Sequence, residues 1–144
     1  MSIHVHNRQR SVPVRLPWLR RFARAALESC LDCSADGRFA LQDLEEIEVA
    51  IVSDRVIAGV HERFMNIPGA TDVITFEHGE IIISAQTAAR YGQEYGQKLE
   101  HELGLYIIHG ILHLNGHDDL AEPAASRMKE TQAAILRRVL RLLA

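Results

Sequence analysis

The sequence predicts an α+β fold: one mixed β-sheet of about four strands packed with helices, with a metal site on a central buried helix and the turn after it. Three observations predict this. Alternating or β-branched runs recur along the chain as strands do. Between and after them, apolar residues repeat at helical spacing. One helical stretch, 99–115, is apolar nearly all round yet holds two histidines four residues apart.

The elements follow in order. Ile3 to Asn7 alternates as a strand. Pro17 opens a helix whose Trp18, Leu19, Phe22, Ala25, Ala26 and Leu27 share a face. Asp36-Gly37 signals a turn. Ile47 to Val52 is the clearest strand, rich in β-branched residues. Ser53 or Asp54 caps the next helix, with Val56, Ile57, Val60 and Phe64 expected inward and Pro68-Gly69 expected to end it. Asp72 to Phe76 and Glu80 to Ile83 read as a hairpin turning at His78-Gly79. Ser84 caps a helix toward Tyr91, which Gly92 and Gly96 are expected to break. The helix 99–115 carries Leu103, Leu105, Tyr106, Ile107, Ile108, Ile111, Leu112 and Leu114, so it belongs in the middle of the domain. Gly116 stops it, and Glu122-Pro123 opens a last helix.

The chain has 144 residues, 47% of them apolar and 24% charged. One domain over 1–144 is expected, with a core that needs no disulfide. No apolar run has the length of a membrane span, and the N-terminus lacks the pattern of a signal peptide. The expected compartment is the cytoplasm. Cys30 and Cys33 form a lone C-x-x-C, without the second pair of a zinc ribbon, and read as two ordinary thiols.

Net charge is −3, unevenly spread. Residues 1–24 hold Arg8, Arg10, Arg15, Arg20, Arg21 and Arg24 and no acid. Residues 123–144 hold Arg127, Lys129, Arg137, Arg138 and Arg141 against Glu130. If the two ends fold together they form a basic face that could meet phosphate backbones, with Arg20 and Arg21 as candidates for that contact. The alternative is a set of ordinary solvated helix faces.

His109 and His113 differ by roughly 40° in direction on a helix, so both can grip one ion. Unpaired imidazoles inside an apolar helix would otherwise need hydrogen bonds. Gly116 and Asp119 follow at the spacing H-x-x-x-H-x-x-G-x-x-D, in which the glycine lets the chain swing back toward the ion. Asp119 is therefore the expected third ligand, with His117 as the alternative. Asp118 is expected to support the site or cap the final helix. Two histidines and a carboxylate leave a position open, as catalytic zinc sites do. The residue after the first histidine is Gly110, where zinc proteases carry a general-base Glu, so peptide hydrolysis by that route is not expected. Gly110 would instead allow close approach of backbone or substrate.

Taken together, residues 109–119 resemble the motif H-G-x-L-H-L-x-G-Y-D-H of the YbeY endoribonucleases, small bacterial metalloproteins linked to ribosomal RNA maturation and quality control. Ala70 to Phe76 looks like the family block P-T-D-V-L-S-F, and Gly79 to Ile83 like G-D-I-x-I. Glu102, seven residues before the first metal histidine, also fits. The resemblance implies one divalent ion, zinc first, and cleavage of single-stranded RNA. Its partners would be ribosomal RNA or ribosome-associated RNA, and a ribosomal protein. Asp119 stands where the family has its third metal histidine, and His117 where it has Tyr. Met65 stands where it has an arginine thought to engage RNA phosphate, with Arg63 as the nearby substitute. Asp118, His117 and Glu102 are the candidates for general base; Asp118 and Arg63 are the expected catalytic pair. Other readings stay open: an assembly factor that binds RNA or the ribosome without cutting, a metallohydrolase of another substrate, and a structural zinc domain.

Overall fold

Alternation along the strands decides where the core sits. In the computed structural model, which describes residues 1–35 and 37–144, the elements are β1 (Ser2–Asn7), α1 (Leu16–Leu31), a 3-10 turn (Ala40–Asp43), β2 (Glu46–Val52), α2 (Asp54–Met65), β3 (Val73–Phe76), β4 (Glu80–Ser84), α3 (Ala85–Tyr95), α4 (Leu99–Leu114) and α5 (Ala124–Leu143). Their order is the predicted one, with the 3-10 turn added. The expected turn at Asp36-Gly37 includes Asp36, which lies outside the described residues.

The sheet is mixed, in the order β1-β2-β4-β3, with β3 antiparallel to β4 and the other pairs parallel. Ile3 and Val5, Ile47, Val49 and Ile51, and Ile81 and Ile83 face one side. There they pack with the helices α1 and α4, and α3 and α5 close the layer. The other side carries a smaller apolar group, Val52, Ile74 and Ile82, under Ile57 of α2. Among the described residues no helix is long and apolar enough to cross a membrane.

Several local expectations are corrected. Val56 and Phe64 are not inward: they are 48% and 60% exposed, while Ile57 is fully buried. The helix α2 meets the sheet along one narrow line, and Phe64 instead rests edge-on against Phe76, with ring centroids 5.3 Å apart. This helix ends before Pro68, at Asn66, whose φ of 57° is the left-handed cap that Asn tolerates. Gly92 does not break α3, which runs to Tyr95 and ends at Gly96. A Cβ at Gly92 would lie 2.8 Å from the Gln97 carbonyl oxygen, so this glycine admits the returning chain.

The helix α4 is buried as predicted, and two glycines seat it. A Cβ at Gly104 would meet the Phe22 ring of α1 at 2.7 Å, and one at Gly110 would meet Ile81 of β4 at 2.8 Å. Gly110 therefore serves helix–sheet packing, and the approach it permits is to a core side chain, not to substrate. The arginine-rich ends do meet, since α1 packs on α5. Burial pushes the Cys30 thiol far up, and burial first, then the Asp32 charge, raises Cys33. Neither sulfur is an activated thiolate, consistent with two ordinary cysteines.

Candidate metal centre

Glu102, Tyr106, His109 and His113 follow one another along α4 at steps of four, three and four residues, which puts them on one stripe of the helix. Tyr106 is buried, and among the described residues none hydrogen-bonds its hydroxyl. Burial, and then the charges of Glu102 and Asp72, push its pKa up, so it stays a neutral phenol. One turn on, the stripe reaches His109, which is half-buried.

His109 is held from behind. Its Nδ1 lies 3.0 Å from Oε1 of Gln132 on α5. An amide oxygen can only accept, so Nδ1 carries the proton and Nε2 keeps a free lone pair. That Nε2 lies 3.7 Å from Oδ2 of Asp119. The Asp119 carboxylate arrives there because α4 stops at Asn115 and Gly116 takes a φ of 95°. No side chain fits at Gly116: a Cβ would lie 2.4 Å from the Phe39 ring. Together His109, Asp119, Glu122, Ser126, Lys129 and Gln132 line a cleft of about 400 Å³ between α4, the following turn and α5.

The donor types fit a divalent ion. A tetrahedral zinc with bonds near 2.0–2.2 Å holds its donors roughly 3.3–3.6 Å apart, close to the His109–Asp119 separation. His113 is exposed, one turn further along the stripe. Its donor atoms are not yet gathered with the other two: among the described residues, the group of three donors all within 4.8 Å of one another is His4, Glu46 and Glu48, on the sheet.

The structure separates the remaining candidates from this cleft. His117 gives Nε2 to the Cys33 carbonyl at 2.5 Å, and with Asp118 and Arg127 it lines a neighbouring hollow. Asp118 accepts the Leu120 amide at 3.2 Å. Arg63 lies on α2, which packs on the opposite side of the sheet from α4, with its guanidinium 5.4 Å from the Phe64 ring centroid. Arg20 donates to the Val5 carbonyl at 3.1 Å, and Arg21 sits beside Arg15, Pro17 and Trp18 at the start of α1. Among the polar residues of the cleft, the sequence does not single out Gln132 or Ser126, and it marks Lys129 only as part of a basic stretch. A signal for Gln132 exists: Met128, Ile135 and Val139 form the buried stripe of α5, and Gln132 is the polar residue interrupting it.

The family model described as Endoribonuclease YbeY matches residues 4–140. The chain is similar to proteins named Endoribonuclease YbeY from Thermobifida fusca, 33% identical over 88% of this chain and 86% of that protein, and from Moorella thermoacetica, 30% identical over 94% and 96%. A third, from Heliobacterium modesticaldum, is 34% identical over 73% of this chain and 75% of its own. The fold is also that of the solution structure of TM1509 from Thermotoga maritima, with a TM-score of 0.64 at 24% identity, covering 95% of this chain and 88% of that one.

Proposed function

This chain belongs to the Endoribonuclease YbeY family, and from that membership we propose that it is a metal-dependent endoribonuclease acting on single-stranded RNA. Its place is the cytoplasm, in the processing, maturation and quality control of ribosomal RNA, beside ribosomal protein. One zinc ion, or another divalent ion, is held by His109, His113 and Asp119. The observation that carries the metal dependence is His109, whose Nδ1 lies 3.0 Å from the Gln132 amide oxygen and whose Nε2 lies 3.7 Å from the Asp119 carboxylate.

When bound, such an ion supplies Lewis acidity at a phosphate oxygen and a more readily ionised water. The chain's own residues do the rest. Gln132 keeps the His109 lone pair aimed into the cleft. Lys129, on the cleft wall, offers an ammonium to an RNA phosphate. Arg20, Arg21 and the other arginines of α1 and α5 add a sequence-independent attraction for the backbone. Asp118 and Arg63 line neither wall of this cleft; of the two carboxylates that reach it from the turn, Asp119 and Glu122, it is Asp119 that faces His109.

A second reading, RNA binding without cleavage, rests on Met65 standing where the family pattern has arginine, while Arg63 lies over Phe64. Assaying single-stranded RNA cleavage and metal content in the parent and in His113→Ala separates the two. The nuclease reading expects His113→Ala to lose its ion. Cleavage should fall by more than the roughly 10- to 100-fold typical of removing an outer partner. Binding without turnover by the parent, unchanged in His113→Ala, would select the second reading.

A further inference from the structure

The sheet carries a second group of metal-binding side chains, on the side away from α4. Strand alternation sends Ile3 and Val5 into the core and leaves His4 and His6 on the outward face of β1. On β2, Ile47 and Val49 turn inward and Glu46 and Glu48 outward. The parallel register sets His4 directly opposite Glu48 and Ser2 opposite Glu46. As a result, His4 Nε2 lies 3.5 Å from Glu46 Oε2, and His6 Nε2 lies 2.6 Å from Glu48 Oε2. Donor atoms of His4, Glu46 and Glu48 all fall within 4.8 Å of one another. The apolar contacts of α2 are with β3, β4 and the C-terminal end of β2, so they leave these side chains uncovered.

We propose that His4, His6, Glu46 and Glu48 form a second divalent-metal site, taking zinc or a similar borderline ion, that clamps the edge strand β1 to β2. Two kinds of observation carry this. The donor set pairs two imidazoles with two carboxylates, which suits zinc and disfavours the all-oxygen preference of calcium and magnesium. Its spacing is also right: the His4–Glu46 separation already matches the roughly 3.3–3.6 Å between donors of a tetrahedral ion, and the other side chains are free to close. Repulsion adds to the case. Glu48 stands opposite Glu80 of β4, so carboxylates line up across the strands beside Arg8 and His6, and a bound cation would add to the charge that offsets their repulsion. On binding, His6 takes the tautomer with its proton on Nδ1, exchanged through solvent, and the Nε2 lone pair turns from Glu48 to the ion.

The test uses the full chain and zinc alone. Zinc retained after gel filtration is measured by atomic emission in the parent, His113→Ala, Glu48→Gln and the double variant. The proposal expects about two equivalents in the parent, about one in each single variant and almost none in the double variant. In the His113→Ala background zinc should raise Tm, and adding Glu48→Gln should remove that rise while RNA cleavage by Glu48→Gln alone matches the parent. Equal zinc in His113→Ala and the double variant would overturn the proposal. Failure of the α4 site would appear separately, as no loss in His113→Ala. If Glu48→Gln lowers Tm without zinc, the pair His4→Gln and His6→Gln, both on the open face, replaces it with the same expectations.

Discussion

His109 is a metal ligand only if one of its nitrogens is kept free, and the residue that does this is on another helix. Gln132 accepts from Nδ1, so Nε2 is left to face Asp119. Replacing Gln132 with Leu should weaken zinc binding by about 10- to 100-fold, the usual cost of removing such a partner, read by competition with a chromophoric chelator. Gln132→Glu, which retains an acceptor, should recover most of the loss. The choice of third ligand is tested in the same titration. Asp119→Ala should lose zinc affinity, whereas His117→Ala should keep it, because the His117 ring is engaged with the Cys33 carbonyl. Loss in His117→Ala equal to that in Asp119→Ala would reverse the assignment.

Elements bring these residues together through close contacts that permit no added carbon. Gly110 lets α4 lie against Ile81, and Gly116 turns the chain beside Phe39. Gly110→Ala should cost about 1–3 kcal/mol in urea unfolding, since the buried Ile81 must move to admit the methyl group. What was legible in the sequence follows from this level. Long periodic elements were readable, because α4 is buried on nearly every side and the strands alternate cleanly. The inward face of α2 was not readable: periodicity gives a stripe, but not how much sheet lies beneath it, and Phe64 runs past that cover. Gly92 was misread for a related reason, since its contact is with a chain segment that only the fold brings back. At the site, the spacing after His109 pointed to Gly116 and Asp119, while Gln132, 23 residues away, depends on how α5 packs on α4.

The whole molecule is a sheet with unequal cover: α1, α3, α4 and α5 on one side, and α2 over part of the other. A partly exposed hydrogen-bond knot ties α2 to α3. Asp54 accepts from Ser84 Oγ at 2.6 Å, Thr87 Oγ1 at 2.7 Å and Arg90 at 2.5 Å. Burial alone would push the Asp54 carboxyl up, but these hydrogen bonds outweigh it and hold it below its ordinary value. A lowered carboxyl pKa stabilises the fold above the unfolded value, 3.8, and the benefit is lost as pH falls through the lower folded value. Asp54→Asn should therefore cost about 1–3 kcal/mol at neutral pH and flatten the loss of stability on acidification below about pH 4, measured by denaturant unfolding across pH.

If a metal held by α4 and its following turn is needed to cut RNA, removing it must stop the reaction. The decisive measurement is cleavage of a single-stranded RNA by the parent protein, stripped with chelator and then titrated with zinc. Cleavage should disappear on stripping and return as zinc is restored, and it should not return in His109→Ala. Undiminished cleavage by the metal-free protein would mean that no metal is needed.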